Sequence, residues 1–215
     1  RKLLLPPCPL TRIIFLNPFL AISEQDSARI SSISLVEKII VPGKTFPDIN
    51  AHLNQTAIEA LASRGIINGK TEDRFEPDGT MTRAEFATII ARGLGLPQMS
   101  VANFKDVTAN DWFYNYVGTA YNYGIIKGVS ESEFNPNGTI TREEAATMLY
   151  RTMQYLGNVN RNFKYSNKTN RRFNDDYDVS SWAKESVSIV NDMYIMQGVG
   201  NSKFDPKNHY TIEQS

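Results

Sequence analysis

Three stretches of this chain repeat one skeleton at fixed offsets, which restricts the fold to a set of like units packed on one another. Gly69, Phe75, Pro77 and Thr82 recur as Gly128, Phe134, Pro136 and Thr141, and again as Gly198, Phe204, Pro206 and Thr211. The interval from Gly69 to Gly128 is 59 residues and that from Gly128 to Gly198 is 70. The extra length falls in a polar, basic stretch with Arg161, Lys164, Lys168, Arg171 and Arg172, which reads as a solvated linker. Each copy also opens alike, on Phe46-Pro47-Asp48, Phe104-Lys105-Asp106 and Phe173-Asn174-Asp175. The copies are therefore expected over residues 45–97, 98–157 and 173–215, with a linker at 158–172 and a leader at 1–44.

Within each copy the pattern predicts a helix, an ordered loop and a second helix, so the fold class is all-α. In the first copy Ala57, Ile58, Leu61 and Ala62 form a helical stripe, and Gly65 supplies a left-handed stop. Val117, Ala120, Tyr121 and Gly124 repeat this in the second copy; the third has Ala183, Val187 and Val190 but ends on Tyr194. Pro77-Asp78-Gly79 and Pro136-Asn137-Gly138 are turn sequences. The second helix then starts at a capping box, Thr82 with Glu85 and Thr141 with Glu144. Met81 and Phe86 stand where a hydrophobic staple would, and Gly95-Leu96-Pro97 ends the first copy's second helix. Phe75, Phe134 and Phe204 are assigned to the core.

The remaining chemistry is sparse. Lys+Arg and Asp+Glu number 23 each, which argues against the basic footprint of a nucleic-acid binder. No apolar run reaches the roughly 18 residues of a membrane span. A single cysteine, Cys8, excludes an intrachain disulfide framework. His52 and His209 lack partners at metal-ligand spacing, and Asp175-Asp176 with Asp178 lack a calcium-loop pattern. Glu143 and Glu144 are adjacent and face different ways on a helix, so they do not form a hydrolase pair. Neither catalysis nor a cofactor is indicated. The leader has a basic start, apolar runs and small residues like a degraded signal peptide, but prolines at 6, 7, 9 and 18 interrupt it. An irregular leader is the competing reading.

Arg83 and Arg142 are not explained by capping, because the first helical turn carries partial positive charge and favours acids. An arginine there twice, beside unpaired helix amides, reads as an anion pocket suited to a carboxylate. The plainer alternative is an arginine paired with a neighbouring acid. Trp112 and Trp182, twelve residues before Gly124 and Tyr194, are core anchors or walls for a sugar face; Leu53 takes their place in copy one. Gly69 and Gly128 serve loop geometry or let a ligand approach the backbone.

The series Phe-x-Asp, Trp, Gly-Ile-Ile-x-Gly, Phe-x-Pro and Thr-Arg-Ala-Glu resembles the S-layer homology (SLH) domain over roughly residues 46–215. The resemblance implies a pseudo-threefold helical bundle whose inter-copy grooves bind a peptidoglycan-linked glycan, a secondary cell wall polymer that is often pyruvylated. It implies that Arg83 and Arg142 contact the pyruvate ketal, and that Asp111, Trp112, Trp182, Gly69 and Gly128 line the grooves. Its implied setting is a secreted protein held at the cell wall of a Gram-positive bacterium. Ile212 departs from the pattern, standing where the other copies have arginine.

Three functions compete: a non-catalytic wall anchor, a piece of an exported glycoside hydrolase or other enzyme, and a self-assembling S-layer protein. Copy three is expected to be the least stable part, since its second helix is cut at Ser215 and the stripe on Ala183, Val187 and Val190 lacks cover. Thr82→Ala is expected to lower the melting temperature more than Arg83→Ala.

Overall fold

The computed structural model describes residues 43–99, 104–160, 163 and 173–212, all within one unit, Val36–Ser215. The leader up to residue 42 and nearly all of the linker lie outside the described residues, as do residues 213–215. Five α-helices are present among the described residues: α1 (Gln55–Ser63), α2 (Arg83–Leu94), α3 (Tyr114–Asn122), α4 (Arg142–Val159) and α5 (Lys184–Asp192). Extended chain occurs there only as isolated bridge pairs, and the fold is all-α. The helix α4 runs two residues into the segment read as linker.

Local chemistry sets most helix ends. Both capping boxes form: Thr82 accepts from the Glu85 amide while Glu85 accepts from the Thr82 amide, and Thr141 and Glu144 repeat the exchange. Gly65, Gly124 and Gly95 follow their helices in the left-handed region, with φ of 64°, 72° and 61°. Tyr194 takes the same conformation without being glycine, at φ 56°. A side chain with a Cβ is strained there. Tyr194→Gly is therefore expected to raise stability by roughly 1 kcal/mol, measured by urea denaturation.

The stripes pack between copies. The face of α3 lies on α2, and that of α5 lies on α4. Ile58 and Ala62 are buried on α1, but Ala57 is exposed. Ala183, Val187 and Val190 are buried, contrary to the expectation that they lack cover. The cover comes from copy two, because α4 belongs to the neighbour and not to copy three's own second helix.

A three-membered backbone ring closes the bundle. Met81 N–H donates to the Tyr210 carbonyl at 3.2 Å, Tyr210 N–H to Ile140 at 2.9 Å, and Ile140 N–H back to Met81 at 2.9 Å. One residue comes from each copy, all three are buried, and bridge pairs Thr82–Thr139, Thr141–His209 and Thr80–Thr211 flank the ring. The side chain of Met81 is thus at a pseudo-threefold axis, and Phe86 meets Tyr210 edge-on at 5.4 Å. Copy three closes this ring through residues before Ser215, so it is an integral third of the core.

Candidate functional site

The opening aspartate of each copy grips that copy's Phe-x-Pro loop. Asp106 accepts from the amides of Phe134 and Asn135, at 2.9 and 2.7 Å. Asp48 does the same for Phe75 and Glu76, and Asp175 for Phe204 and Asp205. The second residue of each pair, Glu76, Asn135 or Asp205, precedes proline and has φ near 60°, at 60°, 58° and 58°. The carboxylate holds that strained turn closed. Burial opposes the charge on Asp48, but the Phe75 and Glu76 amides outweigh it and hold its pKa below the ordinary value. A depressed folded-state pKa stabilises above the unfolded value, and this contribution is lost as pH falls through the folded one. Asp48→Asn is expected to flatten the acid limb of the stability–pH curve below about pH 4, read by thermal melts.

The clamp presents the Phe134 carbonyl to the preceding copy. Arg83, 5% exposed, donates through Nε to that carbonyl at 2.9 Å, through Nη1 to Glu144 at 2.7 Å and through Nη2 to the Lys127 carbonyl at 3.4 Å. Its guanidinium also lies 4.9 Å from the centre of the Phe134 ring. Arg142 repeats the arrangement one copy on, donating to the carbonyls of Phe204 at 2.7 Å and Gln197 at 2.6 Å, with its guanidinium 4.9 Å from the Phe204 ring. Burial pushes both guanidinium pKa values down; Glu144 opposes this for Arg83, and nearby Tyr210, Asp205 and Asp175 oppose it for Arg142.

The anion-pocket reading takes the helix-start amides as unpaired, and the neighbouring copies occupy them. The helix-start amides are not unpaired: Arg83 and Ala84 donate to Gly138 and Pro136, and Arg142 and Glu143 donate to Asn208 and Pro206. The neighbouring copy's turn supplies carbonyls at the positions an anion would need. Arg83 nevertheless keeps capacity, since three of its five N–H groups are used and one remains on each terminal nitrogen.

The third seam differs. Ile212 docks on copy one, its amide donating to Gly79 at 3.0 Å, and is buried. Glu85, the counterpart of Glu144, therefore meets no arginine from copy three and pairs with Lys70 at 2.5 Å. Lys70 follows Gly69, where the other copies have Val129 and Val199, so the compensating cation belongs to copy one alone.

The other candidate residues fall into two groups. A Cβ on Gly69 would meet the Phe46 ring and the Thr71 and Arg74 carbonyls; one on Gly128 would meet the Phe104 ring and the Ser130 and Glu133 carbonyls. The protein itself fills that space. Gly128 follows Lys127, whose carbonyl receives Arg83, so these two candidates lie at one seam. Trp112 and Trp182 are 58% and 56% exposed, and Leu53 at the matching position is 96% exposed. The core anchors are their successors in sequence, Phe113 and Ala183. Asp111 accepts from the Thr108 amide and hydroxyl and so fixes the turn bearing Trp112.

Sequence reasoning gave no role to Asp48 or Asp106, and weighed Asp175 only as a calcium ligand. Their recurrence two residues after the opening phenylalanine of each copy, Phe46, Phe104 and Phe173, was the available signal. It also missed Glu143, which is buried and binds the Ser180 amide and hydroxyl at 2.9 Å and Lys207 at 2.5 Å, joining copies two and three. Among the described residues no cluster of His, Cys, Asp or Glu could hold a metal ion, and no helix is long and apolar enough to cross a membrane.

The chain matches the S-layer homology domain at residues 45–87, 103–146 and 172–211. It is 37% identical over 169 residues to an amylopullulanase of Thermoanaerobacterium thermosulfurigenes, covering 78% of this chain and 9% of that protein. To exoglucanase XynX of Acetivibrio thermocellus it is 34% identical, covering 86% of this chain and 17% of the relative. To the S-layer protein sap of Bacillus anthracis it is 31% identical, covering 82% and 21%. The chain thus spans about a fifth or less of each of these relatives. Three family matches in register with three structural copies closed about one axis lead to one assignment: the chain belongs to the S-layer homology family, whose domains anchor proteins to the cell wall.

Proposed function

We propose that this chain is a non-catalytic anchoring module that binds a pyruvylated secondary cell wall polymer in the seams between its copies. The observation that carries the reading is Arg83: a guanidinium held rigidly by two carbonyls and Glu144, with one N–H left on each terminal nitrogen to take a carboxylate. Arg142 has the matching position at the next seam. Trp112 and Trp182 offer exposed indoles for sugar faces, with Asp111 holding the first of them in place. Gly69 and Gly128 keep the adjoining loops tight. The seam bearing Ile212 has no arginine and is the weakest for an anion. The copies are divided as 45–97, 98–157 and 173–215, with 158–172 as linker.

Purified wall sacculi test the reading. Retention of the chain should fall when the polymer is stripped from the sacculi, and equal retention on stripped sacculi overturns it. Arg83→Lys should retain the charge but weaken retention, because an ammonium cannot form a bidentate fork.

A second reading concerns the parent protein. Relatives named as an amylopullulanase and an exoglucanase, together with the small share of each that this chain covers, favour a module of an exported glycan-degrading enzyme. The S-layer proteins among the relatives support instead a surface-layer parent. The full reading frame decides between a catalytic region and an assembly region.

A further inference from the structure

The seam between copies one and two contains a second guanidinium that the fold does not use. Arg151 lies on α4 seven residues after Glu144, which brings it to the same helical face as the carboxylate that pairs with Arg83. It is half-buried, yet no hydrogen bond or ion pair engages it among the described residues. Its charged neighbour is Arg83, and burial together with that like charge depresses its pKa. One turn further on, Tyr155 meets Tyr123 edge-on at 5.2 Å; burial and Tyr123 both raise the pKa of the Tyr155 hydroxyl.

The equivalent arginine of copy one shows what a satisfied side chain looks like at this position. Arg92 lies 4.7 Å from the ring of Tyr116, and the Asn68 amide oxygen, in its better-bonded orientation, accepts from Nη1 at 2.9 Å. In copy two the position of Asn68 is taken by Lys127, an added cation in place of an acceptor. The carboxylates near Arg83 are Glu144, which pairs with it, and Asp106, which is already bonded to two backbone amides. Two guanidinium groups thus lie near each other with one carboxylate, Glu144, paired directly to the first of them. Holding such like charges together in a partly desolvated place is unfavourable unless an anion is also bound there.

We propose that Arg151 is a second anion-binding residue of this seam, taking a ligand carboxylate together with Arg83 while Tyr123 and Tyr155 form an aromatic wall for the attached sugar. This makes the seam between copies one and two the principal binding site, and it rests on the function proposed above for the wall-polymer setting. The ligand class is a carboxylate-bearing saccharide. The Coulombic demand of two guanidinium groups and the aromatic rings beside them fit that class and not a neutral glycan.

The test uses the whole chain and Arg151→Gln, Arg151→Lys and wild-type proteins. A methyl glycoside carrying a pyruvate ketal is the small probe, followed by NMR of the arginine Nε–H groups. Sacculi with intact polymer give the second readout. The probe should shift the Arg83 and Arg151 signals, and Arg151→Gln should weaken its binding at least tenfold, with Arg151→Lys recovering part. The melting temperature of Arg151→Gln should stay level or rise, since a repelling charge is removed; a purely structural arginine would lower it. Wild-type and Arg151→Gln proteins binding the probe equally, or no shift in the wild type, overturns the inference. Ketal binding without retention on sacculi leaves the anion site standing and overturns the wall-polymer reading instead.

Discussion

Arg83→Ala is expected to cost about 3 kcal/mol, roughly three times the cost of about 1 kcal/mol for Thr82→Ala. This reverses the order that sequence reasoning suggests. Thr82 loses one cap hydrogen bond at a helix start. Arg83 is a side chain only 6% exposed whose removal strands the Phe134 carbonyl, leaves Glu144 without its partner and opens a cavity against the Phe134 ring. Chemical denaturation of the two variants measures the difference. A smaller loss for Arg83→Ala than for Thr82→Ala would mean that the seam between copies one and two contributes little to stability. The consequence for function is practical: loss of wall binding in an alanine variant at this position does not separate folding from recognition, which is why lysine is the informative replacement.

Asp175→Ala is expected to destabilise by about 3 kcal/mol as well, through a different route. The carboxylate is 5% exposed and accepts from the Phe204 and Asp205 amides at 2.9 and 2.8 Å. Without it both amides lose their partner, and Asp205 at φ 58° keeps only its turn contacts with Asn208. The loop would loosen, taking with it the Phe204 carbonyl on which Arg142 rests. Because Tyr210 closes the backbone ring, the loss should appear as cooperative unfolding of all three copies and not as fraying of the third. Hydrogen exchange then distinguishes the cases. In the unmutated chain, amides of residues 173–212 should exchange on the timescale of copies one and two, against the expectation that copy three opens first. Early, separate exchange of that segment would show that the Glu143–Ser180–Lys207 cluster and the α4–α5 packing do not hold it.

What was legible in the sequence was legible for a local reason. A capping box is complete within four residues, and Thr82–Glu85 and Thr141–Glu144 formed as read. A left-handed stop depends on one residue, and Gly65, Gly95 and Gly124 adopted it. Repeated offsets carried the number of copies and the family, since a repeat announces itself without any knowledge of contacts. The roles of Arg83 and Arg142 could not be read in this way, because their partners lie 51 and 62 residues along the chain. A motif repeated in two copies suggested an anion pocket at each helix start; the neighbouring copy decided that the helix-start amides and most of the Arg83 guanidinium were already bonded. The same distance concealed the cover over Val187 and Val190, and it concealed Lys70 standing in for the arginine that Ile212 replaces. Each unit and its edges were thus readable from the residues alone, through interactions spanning a few positions. Which polar groups of one unit satisfy those of the next emerged from the packing of the copies, because a helix–loop–helix copy this small completes its core and its hydrogen bonds only across the seams.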